Sequence, residues 1–338
     1  MTALQITWFL LIGLLLAVYA VLDGFDLGVG FWSLFARKEE EKSTLAGAIA
    51  PHWDGNEVWL LVGGGALFAA FPRVYATVFS GFYLALVLVL FALIFRAVSL
   101  EYGAKKGSAS WRKTWNLAFG LGSALPALLF GVALGNILRG LPLDAGAHFT
   151  GNFLTLLNPY ALLCGLICFF MMALHGALFA ALKTEGKLHE KAMGWARFSW
   201  LTYLVLLLVG FFVTFFTQPH LMANFKSHPV LWLLPIVTLA ALVAAKALLS
   251  KQKTGAAFTA SSASIVALTA TLWAWLFPYL VPALHEGGKK LSIYDASSSK
   301  LTLTVMLILA AIGVPIVLAY TIWSYHVFRG KTAPGEGY

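Results

Sequence analysis

The stretch "ITWFLLIGLLLAVYAVLDGFDLGVGFW", residues 6–32, decides the class of this protein. An apolar run of this length crosses the hydrocarbon core of a bilayer as a helix, since about 20 residues are enough. Its two aspartates, Asp23 and Asp26, are three residues apart and therefore share one face of that helix. An ionised side chain deep in a membrane costs on the order of 2.5–3.5 kcal/mol, so both aspartates should face the protein interior.

The composition extends this conclusion to the whole chain. Hydrophobic residues make up 60% of the 338 positions and charged residues 11%, whereas soluble domains have roughly 25% charged residues. Apolar runs recur along the sequence, and no loop is long enough to form a separate domain. We therefore predict an all-α polytopic membrane protein, one integral-membrane domain over residues 1–338. The predicted transmembrane helices, about nine, cover residues 6–35, 53–71, 76–96, 115–138, 158–182, 194–217, 230–249, 262–284 and 301–327.

The basic residues predict the orientation of these helices. Lys and Arg are concentrated in the connections after the odd-numbered spans and in the C-terminal tail. Because cytoplasmic loops carry the excess of Lys and Arg, the N-terminus should lie outside and the C-terminus in the cytoplasm. The net charge of +9 then comes mostly from basic residues that face lipid on the cytoplasmic side. No nucleic-acid partner is needed to explain it.

The second predicted span begins with an unusually polar stretch, "PHWDGNEVWLL", residues 51–61. One explanation is local, because Pro suits the first helical turn and the helix dipole favours acids such as Asp54 and Glu57 there. The other explanation is that close packing of the first two helices brings these acids near Asp23 and Asp26. Neighbouring buried carboxyls can accept and pass a proton. The proton-path candidates are therefore Asp54, Asp23, Asp26, Glu57 and His52.

Two further charged residues and a set of glycines complete the candidate site. Arg96, at the cytoplasmic end of the third span, could hold one of the aspartates ionised, and Glu101 lies close by in sequence. Small residues let membrane helices approach closely. The helix-packing candidates are Gly24, Gly28, Gly63, Gly64 and Gly65.

The sequence offers little for a metal or haem site. His175 is the only histidine well inside a span, and no second histidine stands opposite it as a paired haem ligand. Cys164 and Cys168 lie in an apolar helix without a neighbour that would stabilise a thiolate, which favours buried, unreactive thiols. We predict that this chain binds no metal and no haem.

The residues alone leave three kinds of protein open. A buried carboxyl chain suits a subunit that conducts protons, and it also suits a proton-coupled membrane transporter. Many transporters contain broken helices and inverted repeats, and neither is clear in this sequence. In a third hypothesis, the acids only pack a structural subunit.

Five motifs distinguish these alternatives, and they run in order from the first span to the last. They are "DGFDLGVGFW", "PHWDGNEVWLLVGGGALFAAFPRVYATVFSGFY", "LNPYALLCGL", "HGALF" followed by "KTEG", and "YDASSSKLTLTVMLILAAIGVPIVLAYTIWSYHVFRGK". Together they resemble subunit II of the cytochrome bd quinol oxidases. The resemblance implies a subunit of a terminal oxidase of the respiratory chain, which oxidises quinol and reduces oxygen to water with four electrons. It also implies a multi-pass protein of a bacterial or archaeal cell membrane.

The same resemblance implies partners and roles. Haem b and haem d would belong to subunit I, which this haem-free chain would stabilise, so the isolated chain should be inactive. We expect this partner subunit to associate through the small-residue and aromatic faces of the first helices, with Gly28 at the contact. A small single-helix subunit, membrane lipid and a bound quinone are further associations known in the family. Asp54 matches the family's proposed proton-uptake acid, Asp23 and Asp26 match its "DGFD" pair, and Trp59 falls where an oxygen path is proposed in some members.

Overall fold

The structure, a computed structural model, describes residues 1–103, 105 and 107–332. The predicted single domain also includes residues 104, 106 and 333–338, which lie outside the described residues. The chain is almost entirely helical, with one short antiparallel strand pair. The helices are α1 Thr2–Ser33, α2 Glu39–Ile49, α3 Trp53–Ala70, α4 Pro72–Gly81, α5 Tyr83–Tyr102, α6 Ala109–Arg139, α7 Pro159–Lys183, α8 Gly186–Thr217, α9 Ala223–Ser227, α10 Leu233–Ser250, α11 Thr254–Leu276 and α12 Lys300–Val327, and the strands are β1 Tyr279–Val281 and β2 Leu291–Ser292.

Eight helices of the described chain are long and apolar enough to cross a membrane. They are α1, α5, α6, α7, α8, α10 with the turn before it, α11 and α12. The chain is therefore an all-α polytopic membrane protein, as the sequence predicts. The remaining predicted span, 53–71, forms α3, a helix of 18 residues that is not among the eight because polar residues occupy its first turns.

Two predicted spans have the wrong limits. The span 76–96 is divided between α4 and α5, because Phe82 leaves the helical conformation and Gly81 lies close to Phe149, 2.8 Å from where a Cβ would be. The span 262–284 is shifted, since α11 ends at Leu276 and β1 follows. Pro278 explains this end, because a residue that precedes proline disfavours the helical conformation.

Helix α1 lies at the centre of the bundle and packs against α3, α6, α7 and α11. Its closest contact is with α7, where a Cβ on Gly28 would lie 2.1 Å from the carbonyl oxygen of Met172 and 2.8 Å from Cα of Gly176. Only glycine at both positions allows this approach. The expectation that Gly28 meets a partner subunit is therefore wrong, because its face is buried against α7 of the same chain.

The other glycines predicted to pack helices fall into two groups. A Cβ on Gly24 would contact Met172 of α7 at 3.6 Å, and one on Gly63 would contact Leu16 of α1 at 3.2 Å. Gly64 and Gly65 have no described atom of this chain within 4 Å of an added Cβ. These two glycines therefore face away from the rest of the chain.

Side-chain and backbone contacts tie the loops together at each end of the bundle. At one end, which holds α2 and most of the basic segments, Lys191 Nζ donates to Glu41 Oε1 at 2.6 Å. At the other end, the backbone N–H of Ser298 donates to the carbonyl of Ala70 at 2.8 Å. The basic loops thus share one end, while the orientation of that end toward the cytoplasm stays a prediction.

Candidate functional site

The centre of the site is a buried ion pair between α1 and α5. Arg96 Nη1 donates to Asp23 Oδ2 at 3.0 Å, and Nη2 donates to Oδ1 at 2.5 Å. Both side chains are fully buried, with 0% of their surface exposed. A guanidinium that engages both oxygens of one carboxylate is the strongest geometry for such a pair. The two opposite charges compensate each other where water is excluded, so Asp23 is the direct counter-ion of Arg96.

Asp26 lies one turn further along α1 and is held differently. Its Oδ2 atom accepts a hydrogen bond from Asn56 Nδ2 at 2.7 Å and lies 4.0 Å from Arg96 Nη2. Its Oδ1 atom is buried and has no hydrogen-bond partner among the described residues. Asn56 also accepts from the hydroxyl of Tyr325 at 2.9 Å. Four helices, α1, α3, α5 and α12, therefore meet at these two aspartates.

The acids of α3 form the outer part of the site. Glu57 Oε2 lies 3.9 Å from Arg96 Nη1, and the side chain is 22% exposed. This oxygen also has no hydrogen-bond partner among the described residues. Asp54, one turn earlier, is exposed in the first turn of α3. The acids thus run from the exposed Asp54 through Glu57 to the buried pair, with one arginine facing three carboxyls.

His52 is buried at the start of α3, but it does not contact the acids. Its ring stacks on Tyr325, with ring centres 4.1 Å apart, and its Nδ1 atom has no partner in the described part of the chain. Burial, and next the positive charge of Lys183, lower the pKa of His52 to about 4. The imidazole is therefore neutral near pH 7.

Two other residues predicted for the site lie outside the cluster. Glu101 is exposed in the last turn of α5, and none of the ion pairs found among the described residues includes it. Trp59 is 3% exposed and packs with Leu15 and Tyr19 between α1 and α3. Trp59 is therefore buried between these two helices, and an oxygen path at this residue stays a prediction.

Sequence reasoning missed two residues that complete the cluster. Asn56 lies between the two acids of "WDGNE" and was not recognised, although it is on the same helix turns as Asp54 and Glu57. Tyr325 is 269 residues away from Asn56 in the sequence, so no local pattern could connect them. A polar residue that recurs between candidate acids is the signal that would have found Asn56.

His175 does not offer a free ligand for haem. Its Nδ1 atom lies 3.1 Å from Ser261 Oγ, and its Nε2 atom lies 3.0 Å from the carbonyl oxygen of Val21. Both ring nitrogens therefore already have partners within the chain. Across the described residues, no group of three His, Cys, Asp or Glu side chains has the arrangement of a metal site.

An apolar cavity of about 310 Å³ lies further toward the start of α1, where Ile12 and Tyr19 are among its lining residues. Leu16, Phe130, Leu134 and Met171 are among the side chains that line it, and they come from α1, α6 and α7. The lining is almost wholly hydrocarbon and aromatic. Such a cavity suits an apolar molecule and offers little to an ion.

Comparisons with known proteins agree on one family. The family model described as "Cytochrome bd terminal oxidase subunit II" matches residues 4–328. The chain is 38% identical to "Cytochrome bd-I ubiquinol oxidase subunit 2" of Escherichia coli K12, over 97% of this chain and 95% of that protein. It is 32% identical to "Cytochrome bd ubiquinol oxidase subunit 2" of Bacillus subtilis, over 99% of both.

A solved structure supports the fold. The bd oxidase of Geobacillus thermodenitrificans contains a chain that matches with a TM-score of 0.78 and 18% identity, over 97% of both chains. The apolar helices and the relatives together indicate a multi-pass protein of the bacterial cytoplasmic membrane. The relatives are subunits of an oxidoreductase, which decides against the transporter hypothesis. From the sequence match over nearly its whole length, this chain belongs to the family of subunit II of the cytochrome bd terminal oxidases.

Proposed function

We propose that this chain, as one integral-membrane domain, is the haem-free subunit of a quinol-oxidising terminal oxidase and supplies protons from the cytoplasm. Reduction of oxygen to two waters takes up four protons and four electrons, so a path for protons must reach the oxygen site. In this proposal, haem b and haem d belong to subunit I. The occupied ring nitrogens of His175 support the view that this chain holds neither.

The observation that carries the proposal is the ordered series of acids on α3 and α1. Asp54 is exposed, Glu57 is 22% exposed, and Asp23 and Asp26 are fully buried. Exposure to water falls with each step inward, and one carboxyl oxygen of the intermediate Glu57 and one of the buried Asp26 have no hydrogen-bond partner among the described residues. A purely structural cluster would be expected to satisfy these atoms. The end of the bundle with the basic loops is the cytoplasmic one in this proposal.

A second part of the proposal concerns subunit I and other partners. In the most apolar stretch of helix α12, only 6% of the residues are buried. Gly64 and Gly65 of α3 also face outward. We assign this combined surface to subunit I, which the subunit would stabilise by close packing of small residues. Lipid would cover the remaining helices, and a bound quinone or lipid chain would suit the apolar cavity. An additional single-helix subunit would also bind on an outer face.

Replacement of Asp54 by Asn tests the proton path. The amide cannot titrate, so oxygen consumption at saturating quinol should fall at least about tenfold while haem content stays normal. The matched control is Glu40→Gln, which neutralises an exposed acid in the first turn of α2 at the same end of the bundle. Normal turnover in a fully assembled Asp54→Asn complex would leave only the helix-dipole role for this acid.

Replacement of Gly64 by Leu tests the surface assigned to subunit I. A large side chain should prevent close packing, so haem recovered per tagged subunit should fall. Gly194→Leu is the control, because Gly194 is equally open but lies on α8. Equal haem recovery from the two variants would place subunit I elsewhere.

A further inference from the structure

The amide of Asn56 has only one orientation that its neighbours allow. The carbonyl oxygen of Leu22, 3.1 Å away, can accept a hydrogen bond but cannot donate one. Nδ2 must therefore point toward Leu22, and its second hydrogen goes to Asp26 Oδ2 at 2.7 Å. Oδ1 is then left to accept from the hydroxyl of Tyr325 at 2.9 Å. Donor and acceptor chemistry thus assigns every hydrogen in the contacts of Asn56 with Leu22, Asp26 and Tyr325.

This orientation makes the two oxygens of Asp26 unequal. Oδ2 receives an N–H from Asn56, so it must act as an acceptor. Oδ1 is buried without a partner among the described residues. A proton bound to Asp26 can sit on Oδ1 without breaking any existing hydrogen bond, whereas a proton on Oδ2 would oppose the Asn56 donor.

The charges make Asp23 and Asp26 unequal as well. Both terminal nitrogens of Arg96 donate to Asp23, so that pair is already neutral. An ionised Asp26 would add a buried negative charge that no direct cation compensates, since Arg96 Nη2 is 4.0 Å away. The neutral form of Asp26 avoids this cost. The titratable or charged groups that face it from the packed helices are Asp23 of α1, Glu57 of α3, Arg96 of α5 and Tyr325 of α12.

We propose that Asp26 carries the transferable proton on Oδ1, that Asn56 and Tyr325 are positioning residues which hold it there, and that Asp23 remains the fixed counter-ion of Arg96. The proposal rests on the proton path proposed above and divides its two buried aspartates by role. Tyr325 acts through Asn56, because its hydroxyl prevents the amide from rotating and presenting its oxygen to Asp26. The C-terminal helix thereby controls the geometry of an acid on the first helix.

Assembly of the full oxidase complex distinguishes the roles of the two aspartates. Asn resembles a protonated aspartic acid, so Asp26→Asn should assemble with normal haem content while oxygen consumption falls at least about tenfold. Asp23→Asn should lose assembly instead, because Arg96 is left buried without its counter-ion. Normal assembly of Asp23→Asn together with failed assembly of Asp26→Asn would overturn the assignment.

Infrared difference spectra of the assembled complex, recorded between acid and alkaline buffer, locate the proton directly. The C=O band of a protonated carboxyl should be present in the unmodified complex and absent from Asp26→Asn. In Tyr325→Phe, which keeps the ring against His52, the band should shift and broaden because the amide of Asn56 becomes free to rotate. Turnover of this variant should fall about fivefold, as expected for one lost hydrogen bond. Tyr83→Phe, at an exposed position on α5 away from the surface assigned to subunit I, is the control.

The possible outcomes are distinct. An unchanged carboxyl band in Asp26→Asn would overturn the inference, and so would a Tyr325→Phe spectrum identical to that of Tyr83→Phe. A band that belongs to Asp26, found together with normal turnover in Asp54→Asn, would remove the proposed uptake at Asp54 but support the placement of the proton.

Discussion

Two buried polar regions on α1 differ in how completely their hydrogen bonds are made. His175 reaches α1 from α7, and each of its ring nitrogens has one partner, Ser261 Oγ or the carbonyl of Val21. Its ring also stacks on Phe258, with centres 4.4 Å apart. A few residues along α1 lies the carboxyl cluster, in which Asp23, Asp26 and Arg96 are buried to the same degree. There, Asp26 Oδ1, Glu57 Oε2 and Arg96 Nε have no hydrogen-bond partner among the described residues.

The difference indicates which buried polar groups stabilise the bundle and which are free to bind a proton or water. A buried polar atom costs free energy unless it is paired, so complete pairing around His175 is what a structural role requires. Incomplete pairing in the carboxyl cluster leaves atoms that can receive a proton or water. We therefore expect the fully paired groups to contribute to stability and the incompletely paired atoms to contribute to turnover.

The largest expected effect follows the loss of the only arginine in the cluster. Arg96→Met leaves Asp23 buried without its counter-ion, which typically costs about 3–5 kcal/mol when one partner of a buried pair is removed. The complex should therefore assemble poorly or unfold at lower temperature, as measured by haem retention during heating. Arg73→Met, at an exposed position on α4, should have little effect.

A double variant separates charge from packing at this position. If uncompensated charge causes the loss, Arg96→Met combined with Asp23→Asn should recover much of the lost stability. Equal instability of the single and double variants would show that the shape of the arginine matters more than its charge. The cluster would then resemble the His175 region after all.

The second prediction concerns the fully bonded region. His175→Phe keeps a ring that can stack on Phe258 but removes two hydrogen bonds, at about 1 kcal/mol each. We expect about 2 kcal/mol of lost stability and unchanged turnover per haem in the complex that does assemble. His148→Phe, at an exposed site in the loop between α6 and α7, is the control for loss of an imidazole. Reduced turnover per haem in His175→Phe would break the proposed contrast.

The sequence predicted most of the helices because apolar length is a local property. It could not predict the limits of α4 and α5, since they depend on the contact between Gly81 and Phe149, which lies in the loop between α6 and α7. In the site, it proposed acids that could meet and an arginine that could hold one of them ionised. The structure places Arg96 beside Asp23 and Glu57, but the choice between Asp23 and Asp26 as its direct partner depends on side-chain geometry.

Long-range contacts explain what the sequence left out. Tyr325 reaches Asn56 because α12 returns to the first helices at the end of the chain, and no spacing rule relates the two positions. Gly28 was expected to contact another subunit because a small residue predicts a close helix but does not identify it. Its neighbour is Gly176 of the same chain.

The smallest expected effect is a pH dependence that arises from His52. Burial and Lys183 lower the pKa of this histidine to about 4 in the folded chain, whereas an unfolded histidine has a pKa of about 6.5. The unfolded state therefore binds a proton first as the pH falls. The contribution to stability is complete above about pH 6.5 and is lost progressively as the pH falls toward about 4.

Thermal unfolding of the assembled complex at about pH 7.5 and about pH 5.5 measures this contribution. The unmodified complex should lose about 1 kcal/mol more between these conditions than His52→Phe, which keeps a ring against Tyr325 but cannot titrate. His326→Phe is the matched control, because His326 is exposed in the last turn of α12. If His52→Phe and His326→Phe change with pH to the same extent, His52 is accessible to protons in the folded chain. The contact between His52 and Tyr325 would then be too open to keep the imidazole neutral, and the support that α12 gives to Asn56 would itself weaken in acid.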